Sequence, residues 1–452
     1  MERMIKQPRR FSNLTISWGI YLFAFCHSLL ILFYGQSEGL FPMPVEGTDQ
    51  LSMLQAAAGI YRGEMPGPGY MYSPSYTLFL GLLVVVSGGN LLLMRIFQAA
   101  LCALIPLLIY KLCLKLRIGR ESALCGALLY CFYGPAQLIA LDFLRAAPLG
   151  LCFVAMAYLL TEALLRRSPW RYFSAGICAG LCILGRENFI PVVFLPFVMM
   201  VFKTVRCRVR LAGGGLYIGA LLLVLLPLML FNQIRFGAFS IIPGHVANVM
   251  GAYHGSDASP AWGIIERIPG QAYKFMASYE IPNSLSFYAH RELIDYLQIC
   301  VIPYNLLISL AALALFLRWR NKEVLFVGFL VAAYAGSMLF FEMFYRFRIP
   351  AVPLLAVLAA CGLSALFKKG VISLKIAALL LALGIFVFTW QSADLLRPAG
   401  ERRAVLRALI ENGHIGKAER MILSLEKYDV PVSELKELLE REKNSSMSRD
   451  GF

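Results

Sequence analysis

Residues 72–120 read YSPSYTLFLGLLVVVSGGNLLLMRIFQAALCALIPLLIYKLCLKLRIGR. Two apolar runs lie here, 72–87 and 91–116, separated by Gly88-Gly89-Asn90, a helix-breaking tripeptide. The second run is long enough to cross a bilayer, which takes roughly 20 apolar residues. It ends in Lys111, Lys115, Arg117 and Arg120. The first run has only 16 residues, the length of an interfacial or re-entrant segment. If both runs spanned, the basic patch at 111–120 would lie on the wrong side of the membrane. One of them does not span, and the shorter is expected to lie on the surface.

The same pattern extends outward. Comparable apolar runs recur at 16–33, 211–231, 301–317 and 371–390. The chain is 59% hydrophobic and 15% charged, with a mean hydropathy of +0.67, whereas soluble domains carry about 25% charged residues. Run 16–33 lacks a following small-residue cleavage site, so it reads as a first span and not as a cleaved signal. The net charge of +15 would suggest nucleic acid in a soluble protein. Here half of the 42 basic residues sit in six short patches, at 3–10, 111–120, 166–171, 203–210, 318–322 and 368–375. The positive-inside rule makes such loops cytoplasmic, and no nucleic-acid partner is expected. The eleven cysteines lie in or beside apolar segments, where cysteine is a common small buried residue, and they imply no disulfide framework.

Threading helices between these patches predicts an all-α, polytopic transmembrane bundle of about eleven spans. The N-terminus is cytoplasmic, exterior loops cover 35–90 and 235–296, and exterior juxtamembrane helices include 72–87. Gly134-Pro135 is expected to kink the third span. The fifth and sixth spans form a hairpin whose exterior tip is Gly185-Arg186-Glu187-Asn188. Residues 1–393 form the membrane domain, and 394–452 form a small exterior helical-hairpin tail. In that tail Leu406, Leu409, Ile410, Ala418, Met421, Ile422 and Leu425 share one amphipathic face, and a third helix starts at Ser433, a good N-cap.

This topology gathers chemistry-bearing residues on the exterior face. Asp49 and Asp142 supply carboxylates; Arg62, Arg95, Arg145, Arg186, Arg346 and Arg348 supply guanidinium groups at or near membrane depth. Ionisable residues there are costly and point to function, although each arginine alone could be snorkelling to the interface. Arginine matches phosphate with a bidentate fork, and a carboxylate suits proton abstraction from a hydroxyl. His245, His254 and His290 are too irregularly spaced to suggest a metal site. Tyr253, Trp262, Tyr273, Tyr279 and Tyr288 could stack on sugars or anchor the interface.

An ordered set of motifs resembles the multi-spanning glycosyltransferases of lipid-linked sugars, the protein O-mannosyltransferases and the aminoarabinose transferase of lipid A. Asp49-Gln50-Leu51-Ser52-Met53, with Tyr61-Arg62-Gly63 and Pro66, is similar to that family's first exterior loop. Tyr72-Ser73-Pro74-Ser75-Tyr76 resembles the start of its juxtamembrane helix, and Arg95 the arginine opening the next span. Leu141-Asp142, the tip at Arg186, and Tyr345-Arg346-Phe347-Arg348-Ile349-Pro350 complete the likeness over residues 10–390. Gln50 departs from it, standing where the family usually has a second acid.

The resemblance implies an inverting transfer of a sugar from a polyprenyl-phosphate donor to an acceptor hydroxyl, on the outer face of a bacterial cell membrane. Asp49 would be the catalytic base, and Arg95, Arg186, Arg346 and Arg348 would bind the donor phosphate. Asp142, Tyr72, Tyr76 and Arg62 would contact substrate. The resemblance names no certain cofactor, and a divalent cation at Asp142 stays open. The acceptor could be protein, lipid or glycan. Two other readings stay in view: a polysaccharide polymerase or ligase acting on lipid-linked glycans, and a lipid or glycan transporter of the flippase kind.

Overall fold

The computed structural model describes residues 13–37, 41, 49–64, 73–166, 168–194, 207–237, 239–241, 261–281, 287–341, 343–367, 371–390, 406–407, 409–410, 415–426 and 432–449. Among them there is helix and loop but no strand. In chain order the helices used below are α1 (Asn13–Ser37), α2 (Asp49–Tyr61), α3 (Pro74–Ser87), α4 (Leu91–Cys102), α5 (Leu104–Lys115), α6 (Arg120–Cys131) and α7 (Gly134–Leu141). They continue with α8 (Ala146–Arg166), α9 (Pro169–Gly185), α10 (Cys207–Phe236), α11 (Ala261–Met276), α12 (Phe287–Leu293), α13 (Tyr304–Leu317) and α14 (Lys322–Met338). Last come α15 (Tyr345–Arg348), α16 (Val352–Phe367), α17 (Ile372–Phe388), α18 (Ile415–Glu426) and α19 (Ser433–Arg449).

The chain is a helical, multi-pass integral membrane protein. Among the described residues six helices are long and apolar enough to cross a membrane, or seven if the bent pair α6–α7 counts as one span. The expected eleven is not reached by that measure, for a reason of length. Helices α9, α14 and α17 have 17 residues each. At 1.5 Å per residue they rise about 25 Å, short of a hydrocarbon core about 30 Å thick. The expected sixth span falls partly outside the described residues. The kink at Gly134-Pro135 is present as a 60° bend. A side chain at Gly134 would meet the ring of Phe287 at 2.6 Å, so the bend is packed tightly from outside.

Ion pairs show which helix ends lie together. Glu162, near the end of α8, accepts from Lys115 at the end of α5, from Arg171 at 2.9 Å, and approaches Arg166 at 3.8 Å. Two of the basic patches therefore share one carboxylate. Arg318, after α13, donates to Ser364 Oγ at 3.0 Å near the end of α16, and Lys375 donates to the Leu366 carbonyl at 2.6 Å. The starts of α8 and α16 and the end of α9 lie at the opposite end of the bundle. Helices approach closely through small residues, as in membrane packing generally: a Cβ at Gly176 would fall 2.2 Å from the Tyr217 carbonyl of α10.

Helix α3 begins and ends on one side. Ser73 Oγ and Ser75 Oγ donate to the carbonyls of Gly185 and Leu181, at 3.0 and 3.1 Å, at the end of α9. Its other end turns through Gly88 and Gly89, both at positive φ, straight into α4, whose continuation α5 runs on to Lys115. Both ends of α3 thus sit away from the basic patches, as expected for a surface helix. It packs on α2 and α4 through Met53, Leu54, Leu80, Leu83 and Met94. In the tail all seven residues of the expected face are at most 4% exposed. The last helix starts at Ser433, as expected, and runs to Arg449.

Candidate active site

Asp49 is the first residue of α2, where the exposed N–H groups of a helix start favour a carboxylate. Its Oδ2 receives Arg346 Nη1 at 2.5 Å, with side chains 29% and 9% exposed respectively. Arg346 lies in the short turn α15, which passes directly into Ile349-Pro350 and then α16. Its guanidinium stands 5.2 Å from the Phe347 ring centroid, and that of Arg186 stands 3.8 Å from the same ring. Arg186, at the hairpin tip beyond α9, also bonds the Tyr334 hydroxyl, which itself donates to the Phe347 carbonyl at 2.7 Å. Arg145 braces the tip by donating to the Gly185 carbonyl at 3.0 Å. One aromatic ring thus gathers two guanidinium groups beside a partly exposed carboxylate. Arg346 Nε meets no partner among the described residues, so part of its fork remains for an anion.

A second cluster adjoins the first through Gln50. Its Nε2 donates to Asp142 Oδ2 at 2.8 Å, while the Phe143 N–H donates to Oδ1 at 2.8 Å. Gln98 Nε2 holds the Asp142 carbonyl at 2.6 Å and that of Ala140 at 3.0 Å. Tyr76 in turn donates to Gln98 Oε1 at 2.9 Å. Arg95 is buried with its guanidinium 4.6 Å from the Phe143 ring and 5.5 Å from Phe41, close enough to feel the Asp142 charge. Adjacent residues at the start of α2 therefore serve the two clusters, Asp49 to Arg346 and Gln50 to Asp142.

The family model for dolichyl-phosphate-mannose-protein mannosyltransferase matches residues 71–231. The resemblance to glycosyltransferases of lipid-linked sugars holds. The matched stretch is less than half of the chain; it carries Arg95, Asp142 and Arg186 but neither Asp49 nor Arg346. In fold the chain is similar to the archaeal oligosaccharyltransferase AglB from Archaeoglobus fulgidus, solved in complex with an inhibitory peptide and a dolichol-phosphate. The TM-score is 0.50 at 14% identity, covering 93% of this chain and 60% of that one. The chain thus spans 60% of the length of the protein it matches. No curated protein matches its sequence.

Not every residue grouped by sequence joins the site. Arg348 is 1% exposed, and its guanidinium is taken up by Glu280 and by the carbonyls of Lys274, Ala277 and Tyr279, at 3.2, 2.7 and 2.9 Å. It also lies 4.2 Å from the Tyr304 ring. Arg62 forms a forked pair with Glu64, at 2.5 and 3.0 Å, on the exposed far end of α2. The 13 residues of that helix separate it from Asp49, about 20 Å along the axis. Tyr76 is buried, with its hydroxyl committed to Gln98. Tyr72 lies outside the described residues, as do His245 and His254.

Three residues that hold these groups in place are not expected from sequence: Gln98, Tyr334 and Glu280. Gln98 is visible in the sequence as the amide inside the apolar run 91–116; the other two carry no local signal. Gln50 makes a testable prediction, since an amide donates to a carboxylate and a second carboxylate cannot. Gln50→Glu loses a bond to a charged group, worth about 1.5–3 kcal/mol, so kcat/KM at neutral pH should fall roughly 10- to 100-fold. Two adjacent carboxylates raise the pKa of one, and the protonated acid again donates. The deficit relative to wild type should therefore shrink as pH falls, which a pair of pH–rate profiles would show. A deficit constant with pH would contradict the assignment.

Proposed function

We propose that the protein transfers a sugar from a polyprenyl-phosphate donor to an acceptor hydroxyl. The observation that carries this reading is the Asp49–Arg346 pair, 2.5 Å apart and partly open, with Arg186 stacked on the same Phe347. Asp49 takes the proton of the acceptor hydroxyl as its oxygen attacks the sugar C1. The C1–O bond to phosphate breaks, and polyprenyl phosphate leaves with the electron pair. A single displacement of this kind inverts the anomeric centre. The leaving phosphate needs electrostatic stabilisation and no general acid; Arg346 and Arg186 provide it. Donor binding draws Arg346 from the carboxylate to the phosphate, so the base is uncovered when the leaving group is in place.

In this reading Asp142, held by Gln50, orients Arg95 at the edge of the site. Tyr76 and Gln98 fix the loop that carries Asp142. Arg348 serves as a strut and not as a phosphate ligand, and Arg62 stays outside. The reacting face is the one opposite the basic patches, hence extracytoplasmic, with a cytoplasmic N-terminus and an exterior tail in a bacterial cell membrane. Residues 1–393 are the membrane domain and 394–452 a separate tail. Loop 235–296 and the tail face the acceptor, since loops on a rigid scaffold carry specificity.

Cells lacking the protein should accumulate the glycosylated polyprenyl phosphate while the acceptor goes unmodified. Unchanged carrier lipid together with loss of lipid movement across vesicles would favour a flippase instead. An impermeant amine reagent applied to intact cells or spheroplasts should label Lys436 and Lys443 in the tail. Labelling only after lysis would reverse the proposed orientation and remove the site from the outer face.

A further inference from the structure

Glu280 has no part in the chemistry above, yet it is 3% exposed and stands at the centre of a network. Its carboxylate accepts from the Tyr133 hydroxyl at 2.8 Å and from Arg348, and its own N–H donates to the Tyr288 hydroxyl oxygen at 3.0 Å. Burial pushes this carboxyl up, and the Arg348 charge and the Tyr133 hydrogen bond oppose the shift. A buried ion pair of this sort adds little net stability over apolar residues of the same size, so its presence asks for another reason.

The reason lies in what the pair grips. Residues 277–281 leave α11 and run along α15. The Tyr345 N–H donates to the Ile281 carbonyl at 2.9 Å, at the start of α15. Arg348, at its end, donates to the Ala277 and Tyr279 carbonyls as well as to Glu280. Arg346 and Phe347 lie between these two anchor points. They are the residues that contact Asp49 and carry the Arg186 stack. The placement of the Arg346 fork is therefore fixed by residues 277–281 of the long 235–296 segment, and Glu280 is the charge that clamps it.

We propose that Glu280 is a positioning residue for sugar transfer, acting through Arg348 to hold Arg346 beside Asp49 and within reach of the donor phosphate. The proposal rests on the transferase reading above. It also makes this part of the long loop a support of the leaving-group machinery, so displacement of the loop would slow the chemical step.

The test uses the purified full-length protein with a polyprenyl-phosphate sugar donor in detergent micelles. Glu280→Gln keeps the volume and removes the charge; the double variant Glu280→Met with Arg348→Met removes both charges together, a replacement that buried ion pairs tolerate. The double variant strands no buried charge but leaves the Ala277 and Tyr279 carbonyls without their donor, so its melting temperature should fall less than that of Glu280→Gln. The kcat of the folded protein, measured well below that temperature, should fall roughly 100-fold, the cost of misplacing a catalytic group by about 1 Å. A structural role alone would leave kcat near the wild-type value once the fold is retained. The effect should also be non-additive with Arg346→Lys: Glu280→Gln combined with Arg346→Lys should be no slower than Arg346→Lys alone, as for residues acting in one unit. Multiplying effects, or native kcat in the double Met variant, would overturn the positioning role while leaving the transferase reading intact. Absence of any donor turnover by the wild type would overturn both.

Discussion

Replacing Asp49 with asparagine should lower kcat for sugar transfer roughly 10²- to 10⁴-fold, the contribution expected of a general base. The change is close to isosteric, and the amide oxygen of the new side chain would still accept from Arg346. Arg346 is the buried member of the pair, at 9% against 29% for Asp49, but it keeps an acceptor in the new amide oxygen, so the melting temperature should fall only slightly. The donor KM should stay near its wild-type value, because the lost interaction belongs to the transition state. Rapid-quench measurement of sugar transfer, beside thermal unfolding in the same detergent, reads both quantities. A large fall in melting temperature with kcat preserved would make Asp49 a helix-capping acid instead.

The second large effect is expected at Arg346. Arg346→Lys retains a positive charge that can still pair with Asp49, but lysine is a point charge where arginine offers a planar fork. The fork moves to the departing phosphate in the proposed reaction, so losing it resembles removal of one oxyanion donor, about 2.7–4 kcal/mol, or 10²- to 10³-fold in kcat. kcat and kcat/KM should fall together. Arg348→Lys should behave differently, because its partners are Glu280 and backbone carbonyls deep in the fold. Lysine keeps a charge for Glu280 but cannot also serve the Ala277 and Tyr279 carbonyls, and each buried acceptor left unmet costs about 1–3 kcal/mol, seen first as a lower melting temperature. Arg346→Lys is thus expected to slow the chemistry at an unchanged melting temperature, whereas Arg348→Lys lowers the melting temperature and slows the chemistry only through a displaced Arg346.

That separation also shows what sequence can and cannot reveal. Arg346 and Arg348 look equivalent in Tyr345-Arg346-Phe347-Arg348, and both read as phosphate ligands there. On a helical turn residues i and i+2 point to nearly opposite sides, so only one of them can face Asp49. Which one depends on residues 277–281, far earlier in the chain. Arg62 reads as a site residue through its nearness in sequence to Asp49, but the rise of α2 carries it away, and Glu64 occupies it. The surface role of α3 is legible because charge placement constrains helix count without any tertiary information. The tail face is legible for a similar reason, since helical periodicity alone sorts buried from exposed positions. Gln50 stands out only as a departure from a familial acid. Its partnership with Asp142 needs the loop after α7 brought beside the start of α2, and no local pattern encodes that contact. Among the described residues the expected span count is not reached, because α9, α14 and α17 have only 17 residues each and the expected sixth span lies partly outside those residues.

If this fold moves a sugar off a polyprenyl phosphate with Asp49 as base, the fate of the carrier itself reports it. Purified protein in mixed micelles would be given a polyprenyl-phosphate donor with a radiolabelled sugar, and the free polyprenyl phosphate released would be quantified together with label transferred to acceptor. The wild type should release carrier and transfer label in equal amounts, and Asp49→Asn should release almost none. Equal release by the two proteins, or label that crosses a vesicle bilayer while still attached to its carrier, would contradict the account.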